Sequence, residues 1–305
     1  MNPPHIRPHI AFALAILLTG ALPAHARPPK LLIVVAHPDD DYNFAATTYC
    51  LSRELGGTVD EVVVTNGEGG YRYSLLAEKI YGLQLTREDV GRSHLPAIRK
   101  QETIRAGRIL GIRRNYFLNQ KDEGFTLDAK EPTNGIWNVR LISTFLDHLL
   151  RREHYDFVFV ILPTPDTHGH HQAVAVLALD VVGRLPELDR PIILGAVASG
   201  SGNAAPRFSQ LNGYPITRTV ADTQGFSFDR RQSFGYQHVL NYGIVVNWVI
   251  AEHKSQGLFQ TDAGKDDQEC FWVFAIDGPE GATAADQLFK ALNAHLPSTA
   301  DSGRQ

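Results

Sequence analysis

His37-Pro38-Asp39-Asp40-Asp41 crowds an imidazole against three carboxylates, and His168-Gly169-His170-His171 gathers three more imidazoles far downstream. Carboxylates packed this closely repel one another unless a cation sits among them. A His/Asp/His set leaves a fourth position open, which is the arrangement of catalytic zinc, whereas structural zinc sites are closed and usually rich in thiolate. Neither cluster has a cysteine beside it. The donors point to a catalytic ion, and manganese or iron would accept them as well as zinc, so ligand type alone leaves the metal open.

Both clusters stand at the end of an apolar run. Lys30-Leu31-Leu32-Ile33-Val34-Val35 and Phe157-Val158-Phe159-Val160-Ile161-Leu162 suit strands buried on both faces, and Pro38 and Pro163 end them by removing a ladder donor. Parallel strands place their carboxyl ends on one edge of a sheet, the edge where open α/β sheets bind ligands. The two clusters are therefore expected to meet. Between them the sequence alternates: a helix over 45–55 closed by Gly56-Gly57, a strand over 61–65 running into Asn66-Gly67-Glu68-Gly69-Gly70, and a long polar connection around 71–97. A helix over 98–110 stopped by Gly111, a strand at 116–118 and an amphipathic helix over 139–150 follow. A helix over 173–182 and a strand at 192–194 continue the pattern, after which the stretch from about 199 turns irregular, with a helix near 245–254, a strand at 271–274 and a helix over 284–295. The fold class is α/β: a three-layer α/β/α sandwich with a Rossmann-like, mostly parallel sheet.

Residues 1–26 hold one basic residue, Arg7, a short apolar run from Ile10 to Leu18 and the small-residue ending Ala24-His25-Ala26. This is the pattern of a secretory signal peptide, cleaved near Ala26, with export to the periplasm or beyond the cell. The remaining 27–305 is read as a single domain, and no later segment is apolar enough to span a membrane. The chain of 305 residues carries a formal charge of −4 and no cluster of lysines or arginines that would track phosphates, which argues against nucleic acid as a partner. Cys50 and Cys270 make at most one disulfide, and whether they pair is open.

Ala36-His37-Pro38-Asp39-Asp40 together with His168-x-x-His171 resembles the PIG-L/LmbE family of zinc-dependent N-deacetylases. Thr65-Asn66-Gly67-Glu68, Arg99-x-x-Glu102 with Ile109-Leu110-Gly111, and His253-x-Ser255-Gln256 resemble further stretches of that family in the same order, over roughly Lys30 to Gln256. The resemblance implies that His37, Asp40 and His171 bind Zn2+, that Asp39 is the general base, and that His168 supplies positive charge or a proton. It implies an N-acetylated amino sugar or glycoconjugate of the N-acetylglucosamine type as substrate. Asp41 stands where the family often has Glu, His170 where it often has Asp, and the segment around 71–97 is long. His170 and His171 compete as third ligand, with spacing favouring His171.

Glu68, Arg99, Asp122, His253 and Gln256 are weaker candidates for substrate contact. Glu68 sits in a loop that reads equally as a plain glycine turn, Arg99 and Glu102 have the spacing of a surface ion pair, and His253 could equally cap a helix end. Other functions remain open: a zinc amidase acting on another conjugate, or a carbohydrate-binding protein without turnover. The carboxylate at 39 counts against the latter, because binding alone needs no base beside a metal.

Overall fold

Leu31, Ile33 and Val35 point to one side of their strand and Leu32, Val34 and Ala36 to the other, and both sets are buried, so the strand lies inside a sheet covered on both faces. The computed structural model describes residues 27–200 and 205–294. The expected leader, 1–26, lies outside the described residues. In chain order the elements are β1 (Lys30–Val35), α1 (Ala45–Tyr49), β2 (Thr58–Thr65), α2 (Leu75–Tyr81), α3 (Glu88–Leu110), β3 (Ile112–Gln120), α4 (Lys130–Thr133), α5 (Val139–Glu153), β4 (Phe157–Ile161), α6 (Gly169–Arg184) and β5 (Ile192–Ser199). There follow β6 (Phe226–Asp229), the two-residue strands β7 (Ser233–Phe234) and β8 (Leu240–Asn241), α7 (Tyr242–Glu252), β9 (Gln268–Val273) and α8 (Gly278–Ala294).

The main sheet has the order β3-β2-β1-β4-β5-β9-β6, with β1 to β5 parallel and β9 antiparallel to both its neighbours. Helices α5 and α6 cover one face, around Leu146, Leu149, Val174 and Val181, and α1, α3, α7 and α8 cover the other, around Ala45, Ala106, Val249 and Leu288. The result is the expected three-layer sandwich. The strand order reverses between β1 and β4, and the carboxyl ends flanking such a reversal form a crevice. His37 follows β1, and the His168–His171 cluster follows β4.

Two sequence expectations change. The connection around 71–97 is largely helical, since α2 occupies part of it and α3 begins at Glu88 rather than 98. Glu88 and Asp89 favour the amino end of α3 electrostatically, and Pro96 costs that helix one backbone hydrogen bond without stopping it, because Leu95 and Arg99 on either side of it are anchored in the interior. Cys50 and Cys270 are both free and buried on opposite faces of the sheet, so they do not pair. Among the described residues no helix is long and apolar enough to cross a membrane.

Candidate active site

His37, Asp40 and His171 bring one donor atom each within 4.8 Å of the others. His37 Nδ1 lies 3.0 Å from His171 Nε2 and 3.6 Å from Asp40 Oδ2, and His171 Nε2 lies 3.2 Å from Asp40 Oδ1. The strand end aims the carboxylate: the backbone N–H groups of Ala36 and His37 donate to Asp40 Oδ2 at 3.0 and 2.7 Å. Burial pushes Asp40 up, but the charges and hydrogen bonds of His171 and His37 outweigh it and hold the carboxyl well below the usual carboxylate range.

The ring tautomers follow from the remaining contacts. Thr167 Oγ1 is 3.1 Å from His171 Nδ1, and with the Nδ1 proton donated to that hydroxyl Nε2 is left as a lone pair directed at Asp40 and His37. His37 Nε2 lies 3.0 Å from His170 Nδ1, so a proton on Nε2 leaves Nδ1 as the donor atom on the other side. Two imidazole lone pairs and a carboxylate oxygen converging this closely fit a divalent metal. Burial lowers the pKa of His37, but Asp40, Asp122 and Asp39 more than compensate and raise it to about 9, which marks the negative charge gathered around the ring.

His168 caps the amino end of α6, where its Nδ1 accepts from the His170 backbone N–H at 3.0 Å. Burial first, then the charges of His37, His170 and His171, push it down to about 2. A neutral ring with Nδ1 so occupied carries its proton on Nε2, so of the two roles expected from sequence, positive charge or a proton, it favours the proton. Its position ahead of α6 adds to this, since the positive end of a helix disfavours an imidazolium. His170, almost fully buried beside Trp137, is pushed down to about 3 by burial and the neighbouring His37.

A cleft of about 550 Å³ opens over these groups, lined by His37, Asp39, Asp40, Arg99, Asp122, Phe125, His168, His171 and Gln256. Beyond Asp39 it continues into a second space of about 400 Å³ bounded by Tyr73, Leu258 and Phe259. A further cavity, about 570 Å³, lies at the other end of the strands around Arg27, Tyr155 and Arg190, away from every histidine of the two clusters. Asp39 is raised from its ordinary value by burial and by Asp40, against the pull of His253, His37 and Arg99. A carboxylate raised in this way is a better proton acceptor.

The weaker candidates separate. Asp122 and Gln256 reach the cleft. Arg99 touches it, but its guanidinium is buried and donates to the carbonyls of Gly67, Gly70 and Ser255 and to Ser255 Oγ, so it is a clamp between loops and not a surface partner of Glu102. Glu102 is itself buried and accepts from Ser255 N and Oγ and from Tyr81. His253 ends α7 and is fully buried, with Nε2 3.0 Å from Asp41 Oδ1, so it supports the acidic cluster from behind instead of walling the cleft. Glu68 is buried beside Asp122 and is raised, chiefly by burial. Sequence reasoning missed Thr167 and Phe125. A hydroxyl immediately before the histidine cluster was the available signal for Thr167; an exposed aromatic in a loop carried none for Phe125.

Residues 32–182 match the family model described as GlcNAc-PI de-N-acetylase. This chain carries a PIG-L family domain. Among solved structures it is similar to the N,N'-diacetylchitobiose deacetylase from Pyrococcus horikoshii, with 20% identity over 81% of this chain and 84% of that one and a TM-score of 0.53. It is also similar to the 4-carboxy-2-hydroxymuconate hydratase GalB from Pseudomonas putida, with 13% identity, 80% and 95% coverage and a TM-score of 0.49. A deacetylase of teicoplanin biosynthesis follows, with 15% identity, 80% and 98% coverage and a TM-score of 0.48. The likeness to the diacetylchitobiose deacetylase speaks to the fold alone. Among curated proteins nothing matches.

Proposed function

We propose that this PIG-L domain is a metal-dependent hydrolase that removes the acetyl group from the nitrogen of an amino sugar or glycoconjugate of the N-acetylglucosamine type, with zinc as the metal, acting after export from the cytoplasm. The observation that carries the reading is the placement of Asp39 and His168 in the same cleft as the His37–Asp40–His171 donor set. The family description supports the reaction class.

His37 Nδ1, Asp40 and His171 Nε2 would hold the ion, which when bound polarises the amide carbonyl and makes a water acidic enough to deprotonate near neutral pH. Asp39, beside that set and not one of its donors, takes a proton from the attacking water as the new C–O bond forms. His168 Nε2–H donates to the carbonyl oxygen as negative charge builds on it. Cleavage of the C–N bond returns the proton from Asp39 to the departing amine, and acetate remains. Asp122, Gln256 and the Tyr73–Leu258 side of the cleft are the surfaces left for the sugar and whatever is attached to it.

Acetate release from a panel of N-acetylated sugars by the zinc-loaded protein tests this. The expected result is release that needs the metal and falls by about 10²-fold or more in Asp39→Ala, the scale of losing a general base. Amide cleavage that liberates some other acid would move the reading to a conjugate amidase, and a sugar bound without turnover would move it to a binding protein.

A further inference from the structure

Three imidazoles, those of His37, His168 and His170, form a second group whose ring nitrogens lie within 4.8 Å of one another. It shares His37 with the first group but uses the other side of the ring: His37 Nε2 faces His170 Nδ1 at 3.0 Å, while Nδ1 faces His171 and Asp40. His168 Nδ1 accepts from the His170 backbone N–H, so a cation taken on Nε2 would move the ring proton to Nδ1 and cost that hydrogen bond. The ring centroids of His168 and His170 stand 4.3 Å apart, and those of His37 and His168 4.9 Å.

We propose that His37, His168 and His170 form an all-nitrogen metal set that competes with His37–Asp40–His171 and withdraws His168 from the reaction when filled. A neutral imidazole has one lone pair, so His37 serves one set at a time. The exchange strands no polar atom of the His37 ring, and its cost falls at His168, which gives up the bond from the His170 backbone N–H. With the cation on Nδ1, the Nε2 proton donates to His170 Nδ1; with the cation on Nε2, the Nδ1 proton donates to His171 Nε2 or Asp40. Divalent ions that favour imidazole over carboxylate, Cu2+ foremost and then Ni2+, select the second set, whereas Mn2+ favours the set with the carboxylate. The loss of activity rests on the deacetylase reading; the metal set does not.

Copper is the probe, because its electron spin counts bound imidazoles. Metal-free protein receives half an equivalent of Cu2+, and pulsed EPR counts the coordinated rings in wild type, His171→Asn and His170→Gln, with circular dichroism to check folding. The expected result is three imidazoles in wild type and still three in His171→Asn. His170→Gln is expected to show at most two, with copper affinity weakened by roughly 10-fold or more. A two-imidazole signal in wild type that loses a ring in His171→Asn would overturn the proposal. If His170→Gln does not fold, the His171→Asn sample decides alone: an unchanged signal supports the second set and a lost ring overturns it. Acetate release by the zinc-loaded wild type, measured in parallel, separates the two readings, since its absence beside an intact copper result removes the deacetylase function and leaves the second set standing.

Discussion

At the scale of single residues the site is a matter of where protons sit. Thr167 Oγ1 is the partner of His171 Nδ1, able to take its proton when Nε2 serves a metal, and Thr167→Val removes that partner with little change of shape. Metal affinity is expected to fall about 10- to 100-fold, measured by competition with a chelating dye, and an unchanged affinity would show that His171 needs no such partner. Behind the cleft, Asp41 and His253 neutralise each other in the interior, so His253→Leu leaves a buried carboxylate unpaired. Thermal and urea denaturation should register a loss of about 3–5 kcal/mol; a loss under about 1 kcal/mol would mean that Asp41 finds another partner or takes up a proton. That His37, Asp40 and His171 come together was legible in the sequence, because both clusters follow buried strands of one parallel sheet. The burial of His253 and Arg99 was not legible, because a polar letter in a loop does not say which way its side chain turns.

Among the elements, the loop after β2 shows how closely backbone segments approach. Gly67 has φ of +71°, and a Cβ there would stand 2.9 Å from Pro38 Cδ and 3.0 Å from Arg99 Nη1. Gly82, at φ of +67°, has nothing within 4 Å of such an atom. Both Gly→Ala changes pay the left-handed backbone strain, and only Gly67→Ala also pushes the Arg99 clamp away from the motif after β1. Urea denaturation should place Gly82→Ala about 1 kcal/mol below wild type and Gly67→Ala up to about 3 kcal/mol below it. Equal losses would mean that the clamp yields freely. Strand positions were readable from continuous apolar runs, whereas the start of α3 was hidden by Pro96, whose cost a packed helix absorbs. The antiparallel joining of β9 to β5 was also hidden, because strand direction depends on tertiary pairing and not on local pattern.

Across the whole molecule, stability should depend on pH through Asp277, which accepts from the Ile193 backbone N–H at 3.1 Å and is raised to about 8, first by burial. The folded form binds this proton more tightly than the unfolded chain does. Its contribution is therefore complete below the ordinary carboxylate pKa and is lost as pH rises toward 8. The side chain keeps some contact with water, so the loss is on the order of 1–2 kcal/mol. Urea midpoints at pH 5 and pH 8 should differ less in Asp277→Asn than in wild type, and equal differences would remove Asp277 as the source. The fold class was legible as a whole because alternating strands and helices admit few topologies, but the sharing of His37 between two donor groups required the positions of four rings at once.

The pairing of β1 with β4 brings together residues as far apart in the chain as His37 and His171, 134 positions from each other. A long intervening segment must close into a loop before either half of the cleft meets the other, and such closure slows folding more than it weakens the finished structure. No partly synthesised chain that ends before β4 can hold the donor set. A nascent chain therefore acquires this chemistry only after the β4 segment and the histidines behind it have left the ribosome.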